Sequence, residues 1–156
     1  MNLLQLNAYI EGSTGDICKA IHKEFIKRKL GNSIIVYARG KKDVNGIKCS
    51  NTVIGKISGL KSRLFGTYGF NAKFNSIKFI VIAKKFKPDI LQIHNVHDHS
   101  FDIEIILKYA YRKRIKVLWT LHDCWPFTGY CSHYSSIGCE QWKNKCEKCP
   151  IYKNYI

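Results

Sequence analysis

Apolar runs and polar breaks alternate along this chain with two different periods. Leu3-Leu-Gln-Leu-Asn-Ala8 is a short, nearly continuous apolar run, the pattern of a buried strand. From about Asp16 to Leu30 the apolar positions return every four residues, at Ile17, Ile21 and Phe25. That spacing predicts a helix with those three on its core stripe and Lys19, Lys23 and Lys27 on another face. Gly31-Asn32 supplies the stop, and Ser33-Ile-Ile-Val-Tyr-Ala38 reads as a second strand. A strand, a glycine loop, a helix and a second strand are the opening of a doubly wound α/β fold.

From Arg39 to Asn71 the pattern weakens, and Thr52-Val-Ile54 is the best strand candidate among scattered Gly and Ser. It returns from Lys73 to Phe86 as a predicted helix with Phe74, Ile77, Ile80 and Val81 facing inward, broken by Pro88. Asp89-Ile-Leu-Gln-Ile-His94 predicts a strand, and Phe101 to Lys113 a helix with Ile103, Ile106, Leu107 and Ala110 as core. Lys116 to Leu121 is the last strand, with Val117, Leu118, Trp119 and Leu121 expected to be buried. Right-handed crossovers then imply a parallel sheet. The loops at residues 11–15, 94–100 and 122–129 should meet at its carboxyl edge, where ligands bind in such folds. The expected organisation is a Rossmann-like, doubly wound domain over residues 1–129 with a Cys-rich tail over 130–156.

Composition adds a compartment and a charge. With 156 residues and 46% hydrophobic content, the chain is long enough for one cored domain and short for two. Met1-Asn-Leu-Leu-Gln-Leu-Asn7 lacks the features of a signal peptide, and no apolar run reaches the roughly 20 residues of a bilayer helix. A cytoplasmic protein is the expectation, and seven cysteines there argue for thiols or metal ligands over disulfides. The formal charge of +15 fits nucleic acid, an anionic membrane surface or a phosphorylated substrate, and equally the lysine-rich usage of an AT-rich genome.

The loops carry the chemistry. Gly12-Ser13-Thr14-Gly15 at a helix N-terminus offers backbone N–H groups, two hydroxyls and the positive helix end, which suit a phosphate. A plain capped turn is the alternative, since neither the Walker pattern nor the three-glycine dinucleotide fingerprint is present. His94, His97 and His99 around Asp98 lack a clear further metal ligand, so Asn95 and His97 read instead as polar groups facing a substrate. Trp119-Thr-Leu-His122-Asp123-Cys-Trp125-Pro-Phe-Thr-Gly129 runs from a strand into a turn crowded with reactive groups. A structural histidine and a helix-capping aspartate are the plainer readings of His122 and Asp123. Cys131, Cys139, Cys146 and Cys149 end in a Cys-x-x-Cys-Pro and suit a structural zinc, although the first pair is spaced widely. Free thiols or two disulfides remain open. Cys18 and Cys49 read as ordinary small residues.

Three strings together carry a resemblance. Asn7-x4-Gly12-Ser-Thr-Gly15, Pro88-Asp-Ile-Leu-Gln-Ile-His-Asn95 and Trp119-Thr-Leu-His-Asp-Cys-Trp-Pro-Phe-Thr-Gly-Tyr-Cys131, followed by Cys149-Pro150, resemble bacterial family 4 glycosyltransferases. The similarity is to those of colanic acid and other exopolysaccharide assembly, and it covers nearly the whole chain. It implies the N-terminal, acceptor-binding half of a GT-B fold, in which two Rossmann-like domains face each other across a cleft. The second domain of that family binds the nucleotide-sugar and carries a Glu-x7-Glu motif, and these 156 residues stop before it. A truncated or split gene product, with a separately encoded donor domain as partner, is therefore the expectation, inactive by itself.

The resemblance further implies retaining transfer of a sugar from a nucleotide-sugar to a glycan or lipid-linked glycan acceptor, at the inner membrane face. Gly12–Gly15 would approach the donor diphosphate. His122 would lie near the reacting sugar, with Asp123 beside it as the second catalytic candidate; Asn95, His97 and Trp125 are further substrate-binding candidates. Two other functions compete: a basic, zinc-stapled nucleic-acid-binding module, and a non-catalytic peripheral membrane protein. No nucleic-acid motif is present, which argues against sequence-specific binding.

Overall fold

The computed structural model describes residues 1–50, 72–97, 100–128 and 131–146. Thr52–Ile54, Asp98, His99 and Cys149 lie outside the described residues. The chain forms two compact units, Met1–Thr120 and Leu121–Ile156.

Among the described residues the first unit holds five parallel strands: β1 (Asn2–Tyr9), β2 (Asn32–Arg39), β3 (Gly46–Lys48), β4 (Ile90–Ile93) and β5 (Lys116–Trp119). Their spatial order is β3-β2-β1-β4-β5, the Rossmann-like arrangement expected from the alternation of strands and helices. Helix α1 (Gly12–Lys27) connects β1 to β2, α2 (Lys73–Phe86) precedes β4, and α3 (Ile103–Lys113) connects β4 to β5. From β1 the chain moves first towards β2 and later to β4 on the other side. The topological switch point therefore lies between the carboxyl ends of β1 and β4. The short strand β3 carries little apolar signal; Gly46 sits there because a Cβ would lie 2.8 Å from the Tyr37 ring.

Helix α1 differs from expectation in its start and in its buried face. It begins at Gly12, so the glycine segment is the first helical turn and not a loop before it. Gly15, Cys18 and Phe25 are buried, whereas Ile17 is 40% exposed. The reason is Gly15: a Cβ there would lie 2.2 Å from the Ile10 carbonyl oxygen, so only glycine lets the helix seat this closely on the end of β1. Cys18 follows one turn later, and the Gln5 side-chain amide donates to its carbonyl at 3.1 Å. At the far end the left-handed residue is Lys29, two positions before the expected Gly31. Gly31 is required instead by close approach to Met1, whose carbonyl oxygen would lie 1.9 Å from a Cβ.

Helix α2 has the expected bounds and a different inner face. Asn75, Ser76, Phe79 and Ala83 are buried, while Phe74, Ile77 and Val81 are exposed. Two polar side chains set this rotation. Asn75 donates to the Ser100 carbonyl at 2.8 Å, and the Ser76 hydroxyl accepts from the Asp102 N–H at 2.8 Å. Buried polar groups need such partners, so the hydrogen bonds and the Phe79 ring outrank the apolar stripe. Helix α3 matches its prediction in Ile103, Ile106 and Ala110, and Asp102 caps it by accepting from Ile105 N–H.

The last strand is not buried. Among the described residues β5 pairs only with β4, and Val117 and Leu118 are 43% and 55% exposed, with Leu121 at 54%. An apolar run of four residues reads the same whether its strand lies in the middle of a sheet or at its margin; the strand order places this one at the margin. The buried apolar residues concentrate on β1, β2 and β4, among them Leu4, Leu6, Ile35, Val36 and Ile93.

Candidate functional site

In the first unit the site is assembled at the switch point. Asn7, on the last full turn of pleat in β1, is completely buried. Its side-chain amide donates to the Tyr9 carbonyl at 2.8 Å and to the Thr14 hydroxyl at 3.1 Å. Its side-chain oxygen accepts from the Asn95 N–H at 3.2 Å, while Ala8 N–H donates to the Asn95 carbonyl. One carboxamide thus uses both donors and its acceptor to tie the first turn of α1 to the exit of β4. Asn7 opens the first of the three motif strings, and its sequence position alone assigns it no role. A buried Asn facing the end of a strand was the available signal.

The α1 N-terminus has no side-chain cap. Glu11 occupies the capping position in extended backbone, and its carboxylate accepts from Lys41 N–H at 3.3 Å instead. Gly12, Ser13 and Thr14 therefore present first-turn N–H groups and hydroxyls without a capping side chain across them. Gly12 has φ +79° with open space where a Cβ would be, and Ser13 is exposed. Of the four glycine-segment residues, Gly15 serves packing, and the other three face outward or partly so.

Beside this turn stands a pair that the sequence reading did not single out. Arg39, the last residue of β2, donates to the Tyr9 hydroxyl at 2.7 Å and lies over the Tyr9 ring at 5.5 Å. It brings a guanidinium to the carboxyl edge of the sheet, the kind of group that pairs with a phosphate or carboxylate. Only the strand order makes the proximity visible, because β2 pairs with β1 residue for residue up to Tyr9 and Arg39.

The histidines separate by role. His94 is buried, and its Nε2 lies 3.2 Å from the Gln5 side-chain oxygen. Gln5 uses its amide nitrogen on the Cys18 carbonyl, so Nε2 of His94 carries the proton given to Gln5. The His94 carbonyl accepts from Trp119 Nε1 at 3.2 Å. His94 is thus a core residue joining β1, β4 and β5. Asn95 and His97 are half-buried at the exit of β4.

In the second unit, His122, Asp123 and Trp125 lie just past β5 in the chain, before and within a single helical turn, α4 (Trp125–Thr128). The Asp123 carboxylate accepts from Trp125 N–H at 3.0 Å, the geometry of a capping aspartate. His122 is half-buried, and Trp125 is 6% exposed. Phe127, Tyr134 and Trp142 form an aromatic cluster, with Phe127 and Trp142 rings 5.4 Å apart at 67°. The turn is closed by Thr128, whose hydroxyl donates to the Cys131 carbonyl at 2.6 Å.

Among the described residues no three His, Cys, Asp or Glu side chains gather in a group able to hold a metal ion. Of the four cysteines expected to bind zinc, Cys131, Cys139 and Cys146 are described, and Cys149 is not. Cys131 is buried, and Cys146 Sγ donates to the Thr128 carbonyl at 3.2 Å. Cys18 and Cys49 are core residues, and burial pushes each thiol up to about 12, which leaves them protonated and inert.

A parallel sheet in the order 3-2-1-4-5, with a glycine-started helix pinned at its switch point, is a Rossmann-like α/β frame. Compared with known proteins, the chain is similar to one from Escherichia coli (strain K12) described as "Putative colanic acid biosynthesis glycosyl transferase WcaC". The two are 28% identical over 172 aligned positions, covering 99% of this chain and 41% of that protein. The chain therefore spans about two-fifths of the length of the curated relative it matches. No family profile matches it, and no solved structure does. The glycosyltransferase resemblance carried by the sequence strings thus extends along the whole chain. The relative's description supports neither the nucleic-acid module nor the non-catalytic membrane protein. Among the described residues no helix is long and apolar enough to cross a membrane.

Proposed function

We propose that this chain is the acceptor-binding half of a retaining, nucleotide-sugar-dependent glycosyltransferase acting in bacterial exopolysaccharide or surface glycan assembly. The observation that carries the reading is the uncapped first turn of α1, pinned by Asn7 at the switch point, in a chain similar to a glycosyl transferase over 99% of its length. Transfer breaks the bond between the anomeric carbon and the diphosphate oxygen and forms one to an acceptor hydroxyl oxygen. The acceptor proton leaves with the departing diphosphate.

Each part of the chain has a task in that reaction. Gly12, Ser13 and Thr14 donate to the diphosphate as negative charge grows on it, and Arg39 adds a full positive charge at the same edge. Asn95 and His97 orient the acceptor. His122 hydrogen-bonds a hydroxyl of the transferring sugar, while Asp123 and Trp125 hold the turn that presents it. The acceptor is a glycan or lipid-linked glycan, met at the cytoplasmic face of the inner membrane. Most of the donor nucleotide is held by a second domain, supplied in the same polypeptide or by a partner.

The test is sugar transfer. The 156-residue chain alone is expected to transfer no sugar from any nucleotide-sugar. Combined with a donor-binding half of a related transferase, it should transfer one to a lipid-linked acceptor. Robust turnover by the 156 residues alone would refute the half-enzyme reading. Absence of transfer with every donor half and acceptor tried, from a chain that remains folded, would refute the transferase reading itself.

A further inference from the structure

The +15 charge is not spread evenly over the fold. Two basic runs, Lys84-Lys85-Phe-Lys87 and Arg112-Lys113-Arg114-Ile-Lys116, are distant in sequence. The first closes α2 and the second closes α3, and both helices end where β4 and β5 begin. The fold therefore brings the two runs together at the amino edge of the sheet, opposite to the site at its carboxyl edge. Between them lies a cleft of about 310 Å³, with Lys84, Lys87, Lys113 and Tyr109 on its walls. Its remaining lining is apolar, from Ala83, Pro88 and Ile115.

Basic residues at helix ends have an ordinary explanation, since they complement the negative C-terminal end of the helix dipole. The magnitudes here exceed that need. Two helix C-termini present about −0.5 elementary charge each, against three ammonium groups on one cleft, leaving a surplus of about +2. Among the described residues no acidic side chain forms an ion pair with Lys84, Lys87 or Lys113. Asp89, two residues after Lys87, accepts from the Asn2 N–H at 2.7 Å. The last carbonyls are also partly occupied, by Lys87 N–H on Ala83 and by Ile115 N–H on Ala110.

Both helices stop in left-handed residues, and these are Lys87 and Arg114, each at φ 53°. Glycine is the unstrained residue there, and a side chain costs on the order of 1 kcal/mol. Helix α1 ends in the same way at Lys29, so the backbone feature is shared by α1, α2 and α3, and at α2 and α3 it places Lys87 and Arg114 beside the cleft. Tyr109 contributes a hydroxyl whose pKa burial raises, so it remains a hydrogen-bond donor.

We propose that this cleft is a binding site for a phosphate ester, its lysines and Tyr109 holding the phosphate and its apolar floor the attached carbon chain. It is independent of the transferase reading, which concerns the opposite edge of the sheet. The same chemistry is found on a soluble phosphate ester and on a phospholipid headgroup. A volume of 310 Å³ admits either, since it matches the smaller end of ligand-site sizes.

The experiment titrates inorganic pyrophosphate into the folded chain at low ionic strength and follows backbone amide shifts. Shifts are expected at Lys87, Lys113 and Arg114, separately from any at Gly12–Gly15. Lys84→Gln, Lys87→Gln and Lys113→Gln together should weaken the cleft response at least tenfold. Lys23→Gln, Lys42→Gln and Lys78→Gln, which remove the same charge elsewhere, should change it less than twofold. All six lysines are exposed, so both variants should melt with the wild type. Phosphatidylglycerol vesicles that displace pyrophosphate from the cleft identify a lipid headgroup as the ligand's source; displacement by glycerol phosphate but not by vesicles identifies a soluble ester. Equal losses in the two triple variants, or shifts confined to Gly12–Gly15, would overturn the proposal.

Discussion

Asn7 and Asn95, 88 residues apart in the chain, meet where β1 and β4 diverge, the side-chain oxygen of one accepting the backbone N–H of the other at 3.2 Å. Through the same carboxamide, Asn7 holds the Thr14 hydroxyl. Substituting Asn7→Ala leaves the Asn95 N–H and the Tyr9 carbonyl, both in part-buried hydrogen bonds, without their partner. The expected loss is about 1–3 kcal/mol of stability. Nucleotide-sugar affinity of the assembled transferase should fall as well, because the α1 turn is no longer tied to the β4 exit. Urea unfolding and a binding titration on the same variant check both, and an Asn7→Ala protein as stable as wild type would remove Asn7 from its central place.

The glycines of the first turn should separate by mutation. Gly15→Ala puts a methyl 2.2 Å from the Ile10 carbonyl oxygen, so α1 must lift from the sheet, with an expected cost of about 3 kcal/mol or more. Gly12→Ala meets open space and has only its φ of +79° to oppose it, an expected cost of about 1 kcal/mol. Thermal or urea unfolding of the pair gives the order directly. The opposite order would mean that α1 is seated differently.

Cys18 and Cys49 predict a pH dependence on the alkaline side. Burial raises each thiol from 9.0 to about 12, so the folded state holds its protons where the unfolded chain releases them. This contribution is fully present below about pH 9, falls as pH rises, and is lost by about pH 12, at about 1.4 kcal/mol per pH unit for each thiol. Urea unfolding between pH 8 and 10.5 should show the decline, and Cys18→Ala should flatten it. Neither thiol should be alkylated in the native state at pH 8. Rapid labelling of both without unfolding would contradict their burial.

His122 tests the second unit. In the chain joined to a donor-binding half, His122→Ala should reduce turnover by at least tenfold while the thermal midpoint stays within a few degrees. Asp123→Ala should do the reverse in part, removing the cap on Trp125 N–H at a cost of about 1 kcal/mol. A collapsed midpoint with specific activity intact would make His122 structural.

The alternation of periods in the chain was sufficient for the fold class and for most element bounds. Lys73–Phe86 agrees to the residue, because Pro88 and the polar Lys87 stop that helix locally. The strands of the central sheet are legible for a similar reason: an apolar run buried on both faces leaves a nearly unbroken signature, as in Leu3–Leu6, interrupted by Gln5, and Ile35–Ala38. The glycine segment could be placed after β1 from sequence, and its hold on Thr14 by Asn7 could not, since that bond depends on helix α1 reaching back over the sheet.

What the sequence determined by itself is therefore local and periodic: strand or helix, the order of elements, and the residues that carry reactive groups. Tertiary structure decided which face each element buries and which distant residues meet. Ile17, Phe74, Ile77 and Val81 are apolar and exposed, because Gly15 against Ile10 and Asn75 and Ser76 against the start of α3 set the rotation of their helices. Val117 and Leu118 are exposed because strand order puts β5 at the margin. Close approach and buried hydrogen bonds are relations between segments far apart in the chain, each decided by short distances that no local period encodes. The same reason applies to the basic cleft, whose two lysine-rich runs become one surface only when β4 and β5 lie side by side.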